Sequence, residues 1–332
     1  MKRTALFFAG ILSAVLLGAA CSKSGDSGSD GKLAIALLPK SKGNQYFVTC
    51  EKGARKAAAD LGVELLFDGP TNTDPAKQNE IVENWISLGV DVICAACENK
   101  DGISTALRKA QAAGIKVVTY DADSQPDARS FFVNQATAKG IGDKLMDTAA
   151  ELTGGSGEFA VISATLTAAN QNEWIRCIRE RLAEKYPDMT LVEVKPCDDQ
   201  KDKAQQETTN LLSAYPNLKA VMAICSPGVP GAAEAVKQAG KAGQVKVLGL
   251  GLPSENRAYV KEGVTQAVIL WKVEDLGYLT VMAGAALADG SLKPGATEFD
   301  AGKLGKLTID GDNILLGTPF VFTKENIDDF DF

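Results

Sequence analysis

KLAIALLPKSKGNQYFVTCEKGARKAAADLGVELLF, residues 32–67, decides the fold. LAIALL (33–38) is an unbroken apolar run of strand length, suited to a parallel strand buried on both faces. The apolar residues that follow, Phe47, Cys50, Ala54, Ala57 and Leu61, fall at i, i+3, i+7, i+10 and i+14, one face of a helix. VELLF (63–67) is strand-like again. The next helical stripe is Ile81, Trp85 and Leu88, ended by Gly89. DVICAA (91–96), a helix over about 102–113 and IKVVTY (115–120) complete a βαβαβαβ run, which demands a parallel sheet with helices on both faces.

The rhythm then restarts. GEFAVISA (157–164), a helix over about 171–185, LVEVK (191–195), a helix near 203–214, KAVMAI (219–224), a helix near 230–239 and VKVLGL (245–250) repeat it. TQAVIL (265–270) adds a strand, and 273–289 a helix. KLGKLTIDGDNILLG (303–317) reads as a hairpin about Asp310-Gly311-Asp312, and PFVF (319–322) as a last short strand. Two Rossmann-like α/β lobes are therefore expected.

The N-terminal end has a different character. Lys2 and Arg3 precede an apolar stretch, ALFFAGILSAVLL (5–17), too short to span a bilayer comfortably. Gly18, Ala19 and Ala20 lead to Cys21, and SKSGDSGSD follows as a solvated tether. Residues 1–20 read as a signal peptide and 21–31 as a tether. The layout resembles a bacterial lipoprotein signal with Cys21 as the lipidated residue. Gly18 stands where such signals usually carry Leu, so cleavage after Ala20 to give a soluble protein is the alternative.

Composition narrows the function. The formal net charge is −7, and no basic run grips phosphates, so nucleic acid is not an expected partner. The chain has no His, which removes the commonest general base and the commonest zinc ligand. No metal and no cofactor are expected. Cys94 and Cys97 form a C-x-x-C, but they sit on an apolar strand without a second pair, and read as small buried residues. Whether Cys50, Cys94, Cys97, Cys177, Cys197 or Cys225 form disulfides stays open; Cys177 with Cys197 is conceivable.

In parallel sheets, ligands sit at the carboxyl ends of the strands, and a cleft between two such lobes is a small-molecule site. The strand ends are LLPKSKGNQYF, CAACENKDG, TYDADSQPD, SATLTAANQNEW, ICSPGVPGAA, LGLPSEN and ILWKVED. They carry Lys40, Asn44, Tyr46, Phe47, Asn99, Asp121, Asp123, Asn170, Gln171, Trp174 and Trp271. Amides, carboxylates and aromatics suit a polyhydroxylated ligand: carboxylates accept from hydroxyls, amides do both, and flat rings cover C–H faces. No nucleophile stands beside a base, and no Gly-rich loop matches a phosphate cradle. Asn44 and Asp121 could instead cap helices. Trp85 lies on a core stripe; Trp174 could belong to core or site.

On the stretches LPKSKGNQYF, LLFDGPT, AANQNEW, GLGLPSE, ILWKVEDLGY and TPFVF, spread over about 33–332, the chain resembles type I periplasmic sugar-binding proteins, the receptors of ABC importers. The likeness is to rhamnose-binding and autoinducer-2-binding receptors. It implies two lobes joined by a three-stranded hinge: 32–122 plus 273–289 in the N-terminal lobe, and 124–271 plus 293–332 in the C-terminal lobe and hinge tail. It also implies a monomer that delivers a sugar to a membrane permease, in the periplasm or on the outer face of the cell membrane. Lys40, Asp121, Gln171, Pro230 and Ala232 stand where autoinducer-2 receptors have the same residues. Those receptors carry Asp at the place of Asn170, whereas Asn170, Gln171 and Asn172 match the rhamnose-type Asn-Gln-Asn. Phe47 and Trp271 match aromatics that flank sugars, and Asn44 a polar position of the first loop. The resemblance thus implies a rhamnose-like deoxyhexose, with autoinducer-2 as the alternative. An enzyme on the same frame would have only Asp121 and Lys40 to use. A sugar-responsive regulator would need a DNA-binding helix pair, and none precedes residue 33.

Overall fold

The computed structural model describes residues 31–332; the stretches expected to be a signal peptide and most of a tether, with Cys21, lie outside the described residues. The first half runs β1 (Ala34–Leu38), α1 (Gln45–Leu61), β2 (Glu64–Phe67), α2 (Pro75–Leu88), β3 (Val92–Ala95), α3 (Lys100–Ala112), β4 (Lys116–Tyr120) and β5 (Phe131–Asn134). The second runs α4 (Ala138–Thr153), β6 (Gly157–Ser163), α5 (Ala169–Lys185), β7 (Met189–Pro196), α6 (Lys201–Ala214), β8 (Leu218–Ala223), α7 (Gly228–Gln238), β9 (Lys246–Leu250), α8 (Pro253–Lys261) and β10 (Thr265–Leu270). The closing part holds α9 (Val273–Asp289), β11 (Glu298–Asp300), β12 (Lys306–Asp310), β13 (Asn313–Leu315) and β14 (Phe320–Phe322).

Two sheets result. One has the order β11-β12-β13-β5-β4-β3-β1-β2, the other β14-β10-β9-β8-β6-β7. Strands β1 to β5 are mutually parallel, as are β6 to β10, which is the two-lobed α/β arrangement expected. Ile35, Ala36, Leu37 and Leu38 of β1 have no exposed surface, which explains the unbroken apolar run. Trp85 is in the core, with Ile81, Val82 and Ile93. Leu61 and Leu88, placed on helical stripes by their spacing, are exposed because each ends its helix just before a left-handed Gly cap.

The lobe boundaries differ from those drawn on the sequence. FFVN (131–134) forms β5 of the first sheet, not part of the second lobe. The hairpin of β12 and β13 extends that same sheet, because β13 pairs in parallel with β5. Residues 298–315 thus leave the second-lobe tail, and only β14 of that region pairs with β10. Arg129, buried, explains the attachment: it pairs with Asp123 beyond β4 and with Asp312 at the hairpin turn.

The chain passes between sheets three times: after β5, after β10, and between β13 and β14. The second passage sends α9 back against α1. The two helices touch backbone to backbone at two glycines. A Cβ on Gly53 would lie 1.7 Å from the Glu274 carbonyl oxygen, and one on Gly277 would lie 1.9 Å from that of Cys50.

Candidate functional site

Carboxyl ends of strands from both lobes border one cleft, enclosing about 410 Å³ of atom-free space that is partly open to solvent. Lys40, Asn44, Phe47, Asp121, Asn170, Gln171 and Trp271, the residues matched on the sequence to a sugar site with the exception of Pro230 and Ala232, line it together. Tyr46, Trp174, Asp199, Ile224, Cys225 and Ser226 line it as well.

The first-lobe wall is built around Asp121. This residue follows β4 directly and has φ 61°, a left-handed backbone rare for a residue with a Cβ. Its carbonyl accepts from Gln135 Nε2 (3.0 Å) on the first passage between lobes. Its carboxylate accepts from the Tyr46 hydroxyl (2.8 Å), which in turn accepts from Trp271 Nε1 (2.9 Å). Burial raises the Asp121 carboxyl above its ordinary value, opposed by the Lys40 charge and the Tyr46 bond. Burial, with the Asp121 charge beside it, also raises the Tyr46 phenol, so it stays a donor. Phe47 meets Tyr46 and Tyr120 edge to face, with centroids 5.1 and 6.3 Å apart. Asp121 therefore does not cap a helix; it is a carboxylate set in an aromatic frame.

Asn44 does cap a helix, and does more. Its Oδ1 accepts from the Tyr46 backbone N–H (2.9 Å), closing the first turn of α1. Its Nδ2 donates across the cleft to Asp199 Oδ2 (2.8 Å). Lys40 also crosses, donating to Asn170 Oδ1 (3.1 Å) with Glu98 Oε2 at 3.9 Å. Glu98 accepts from the Thr165 hydroxyl, and Asn99 bridges Ala168 backbone to backbone. The two lobes are thus in contact around the cleft.

The second-lobe wall rests on the start of α5. Gln171 Oε1 accepts from the Ala164 N–H (2.7 Å), a bond that fixes the amide while its nitrogen has no protein partner among the described residues. Asn170 Nδ2 lies 3.5 Å from the Asp121 carbonyl. Trp174 is both core and site: it is 5% exposed, lines the cleft, and meets Trp271 with centroids 6.3 Å apart. Asp199 comes from the turn after β7, and burial pushes its carboxyl up to about 6 against the opposing bond from Asn44.

Pro230 and Ala232 do not line the cleft. Both lie in the first turns of α7, where Gly228 to Ala233 are all buried, Ala232 in the same core cluster as Ile162 and Val221, and the wall there is Cys225 and Ser226, just before that helix. Asp123 is spent on Arg129, and Asn99 caps α3 through Gly102 (2.8 Å). The six described cysteines are free and buried. Cys197 faces Cys225, with sulfurs 3.4 Å apart, rather than Cys177. Burial raises the Cys94 thiol to about 12, which keeps it inert. Among the described residues, no group of three or more His, Cys, Asp or Glu could hold a metal ion, and no helix is long and apolar enough to cross a membrane. What the lining offers is hydrogen bonding to hydroxyls and ring faces for C–H groups.

Comparison with known proteins fits that chemistry. Residues 35–292 match the family described as the periplasmic binding protein domain. A D-ribose/D-allose-binding protein of Pseudomonas aeruginosa is 31% identical over 242 residues, covering 69% of this chain and 74% of the relative. An ABC transporter solute-binding protein from Clostridium phytofermentas, solved with bound L-rhamnose, is 32% identical with a TM-score of 0.83, covering 90% of this chain and 98% of that one. LsrB from Clostridium saccharobutylicum, solved in complex with AI-2, has a TM-score of 0.85 over 90% of this chain and 100% of its own, but at 23% identity shares the fold alone.

Proposed function

We propose that this chain, which belongs to the periplasmic binding protein family and is an exported, sugar-binding component of an ABC transporter, captures a rhamnose-like deoxyhexose. Its relatives are substrate-binding proteins of transporters, and the chain is not an enzyme. The ligand contacts in this proposal are Lys40, Asn44, Phe47, Asp121, Asn170, Gln171 and Trp271. The observation that carries it is the pairing of a buried carboxylate, Asp121, with an aromatic frame and the neutral amide of Asn170. An amide can donate to a ring or hydroxyl oxygen, whereas an ionised Asp only accepts. A 6-deoxy sugar presents a methyl group beside its hydroxyls, which suits walls that mix Trp, Phe and Leu with these polar groups.

Delivery to a membrane permease, action as a monomer and lipid attachment at Cys21 belong to the same proposal. The support for the last is the run from apolar core to Cys21 to tether. The alternative ligand is autoinducer-2, favoured by Lys40, Asp121 and Gln171 meeting in one cleft.

Titration calorimetry with L-rhamnose, D-ribose, D-allose and autoinducer-2 tests the ligand. L-rhamnose is expected to bind most tightly. Tight binding of autoinducer-2 with no response to rhamnose would replace the first reading by the second.

A further inference from the structure

Asp199 was outside the residues expected at the site, and no function so far described uses it. It sits in PCDDQKD, the turn between β7 and α6. Asp198 and Asp199 both have left-handed backbones, with φ 52° and 57°. Asp visits this conformation more readily than most residues with a Cβ, and here it turns the Asp199 side chain toward the cleft border. The residue keeps part of its surface open, and it borders the cleft. Its one side-chain partner is Asn44, which belongs to the other lobe. Within its own lobe, nothing among the described residues pairs its carboxylate.

The two carboxylates that line the cleft therefore come from opposite lobes, Asp121 from the first and Asp199 from the second. The lining holds one ammonium, Lys40, which is already engaged by Asn170 and stands near Glu98. An anionic ligand would meet more negative than positive charge there. A neutral polyol would instead give each carboxylate hydroxyl donors. Resting on the reading of the chain as a sugar receptor, we infer that Asp199 is the second lobe's ligand-holding carboxylate, and that with Asp121 it selects neutral polyols over uronic acids and sugar phosphates. Asp199 then contributes little to a sugar-free protein and much to a sugar-bound one, since ligand hydroxyls replace or join the single donor from Asn44.

The test is Asp199→Asn, studied by calorimetry and thermal unfolding. Asn keeps the shape and tolerates the left-handed backbone. Losing the charge-assisted bonds should weaken binding of the native protein's best neutral sugar roughly 10- to 150-fold. The sugar-free Tm should change little, because the carboxylate is partly open to solvent and has a single side-chain donor, which Asn can also accept from. A Tm loss with unchanged affinity would show a structural residue and overturn the inference. The exchange Asn44→Asp with Asp199→Asn separates holding the lobes from holding the ligand. It restores an amide–carboxylate pair across the cleft, so recovery of native affinity would make Asp199 a lobe-to-lobe contact only.

The native protein should bind L-rhamnose or D-ribose and ignore D-galacturonate and D-ribose 5-phosphate. Equal affinity for a uronic acid would overturn the selection by charge. If the native protein binds no neutral sugar at all, the receptor reading beneath the inference fails. If it binds one and Asp199→Asn binds it equally, only the inference fails.

Discussion

The two walls of the cleft are built in different ways. The first-lobe wall is tied into two of the passages that join the sheets: Trp271, just past β10, donates to Tyr46, Tyr46 donates to Asp121, and Gln135, just past β5, donates to the Asp121 carbonyl. The second-lobe wall has Gln171 fixed by a backbone N–H, but its Asp199 is held only by Asn44, from across the cleft. One wall is held from the passages that join the lobes; part of the other gains its hydrogen bonds only when the lobes meet. Preorganisation on one side lowers the cost of first contact, and dependence on closure on the other lets the ligand drive the lobes together.

The largest expected effect falls on the ready wall. Asp121→Ala should weaken sugar binding roughly 10- to 150-fold, because a hydrogen bond to a charged group contributes about 1.5–3 kcal/mol. Unaltered affinity in a folded variant would remove Asp121 from the site. Tyr46→Phe should come next. It leaves the ring in the aromatic frame but removes the donor that orients Asp121, and about 1–2 kcal/mol of binding should go with it, some 5- to 30-fold. If Tyr46→Phe binds like the native protein, the Asp121 carboxylate does not depend on the relay.

Asn44→Ala sharpens the contrast. It removes the cap of α1, which costs about 1 kcal/mol in thermal or denaturant unfolding, and it removes the donor to Asp199. Its effect on affinity should be smaller than that of Asp121→Ala, since the sugar can supply donors to Asp199 itself. A larger effect would mean that the lobes, rather than the ligand, hold the second wall.

The smallest effect is on pH dependence. The Asp199 carboxyl lies at about 6, above its unfolded value near 3.9, with Asn44, Lys40, Glu98 and Asp121 around it. The folded protein then binds the proton more tightly than the unfolded chain. This contribution makes sugar-free stability fall as pH rises between those two values, and a fit of Tm across that range in native protein and Asp199→Asn should show it. Hydroxyl donors from a sugar favour the ionised form, so binding near pH 5.5 should release protons. Calorimetry in two buffers of different ionisation enthalpy measures this; proton uptake would contradict it.

Most of the frame was legible because parallel strands buried on both faces leave plain apolar runs. AIALL and VICA are such runs, and the α1 stripe is carried by Phe47, Cys50, Ala54 and Ala57, all buried. The short strand β5 was not legible. FFVN has four residues, follows an irregular turn, and owes its place to the buried Arg129 pairing with Asp123 and Asp312, the latter 183 positions away. The lobe boundary moved for that reason. In the site, strand-end position and residue chemistry found nine of the residues that meet in the cleft. Pro230 and Ala232 came from resemblance alone; the start of α7 is buried all round, and the cleft is lined by Cys225 and Ser226 just before it. Asp199 carried a signal, two consecutive Asp just past a strand. Its meaning depends on Asn44, 155 positions earlier, and no local pattern shows that pairing.

Small-angle scattering of the native protein, with and without the sugar found by calorimetry, tests the central claim most directly. If one ligand joins a ready wall to a wall completed by closure, the sugar-free protein samples an open form, and saturating sugar reduces its radius of gyration. Stability should rise with it, by about 2.7 kcal/mol at 100-fold excess over Kd. A radius that does not change at saturating sugar would contradict the account and place the whole site on one lobe.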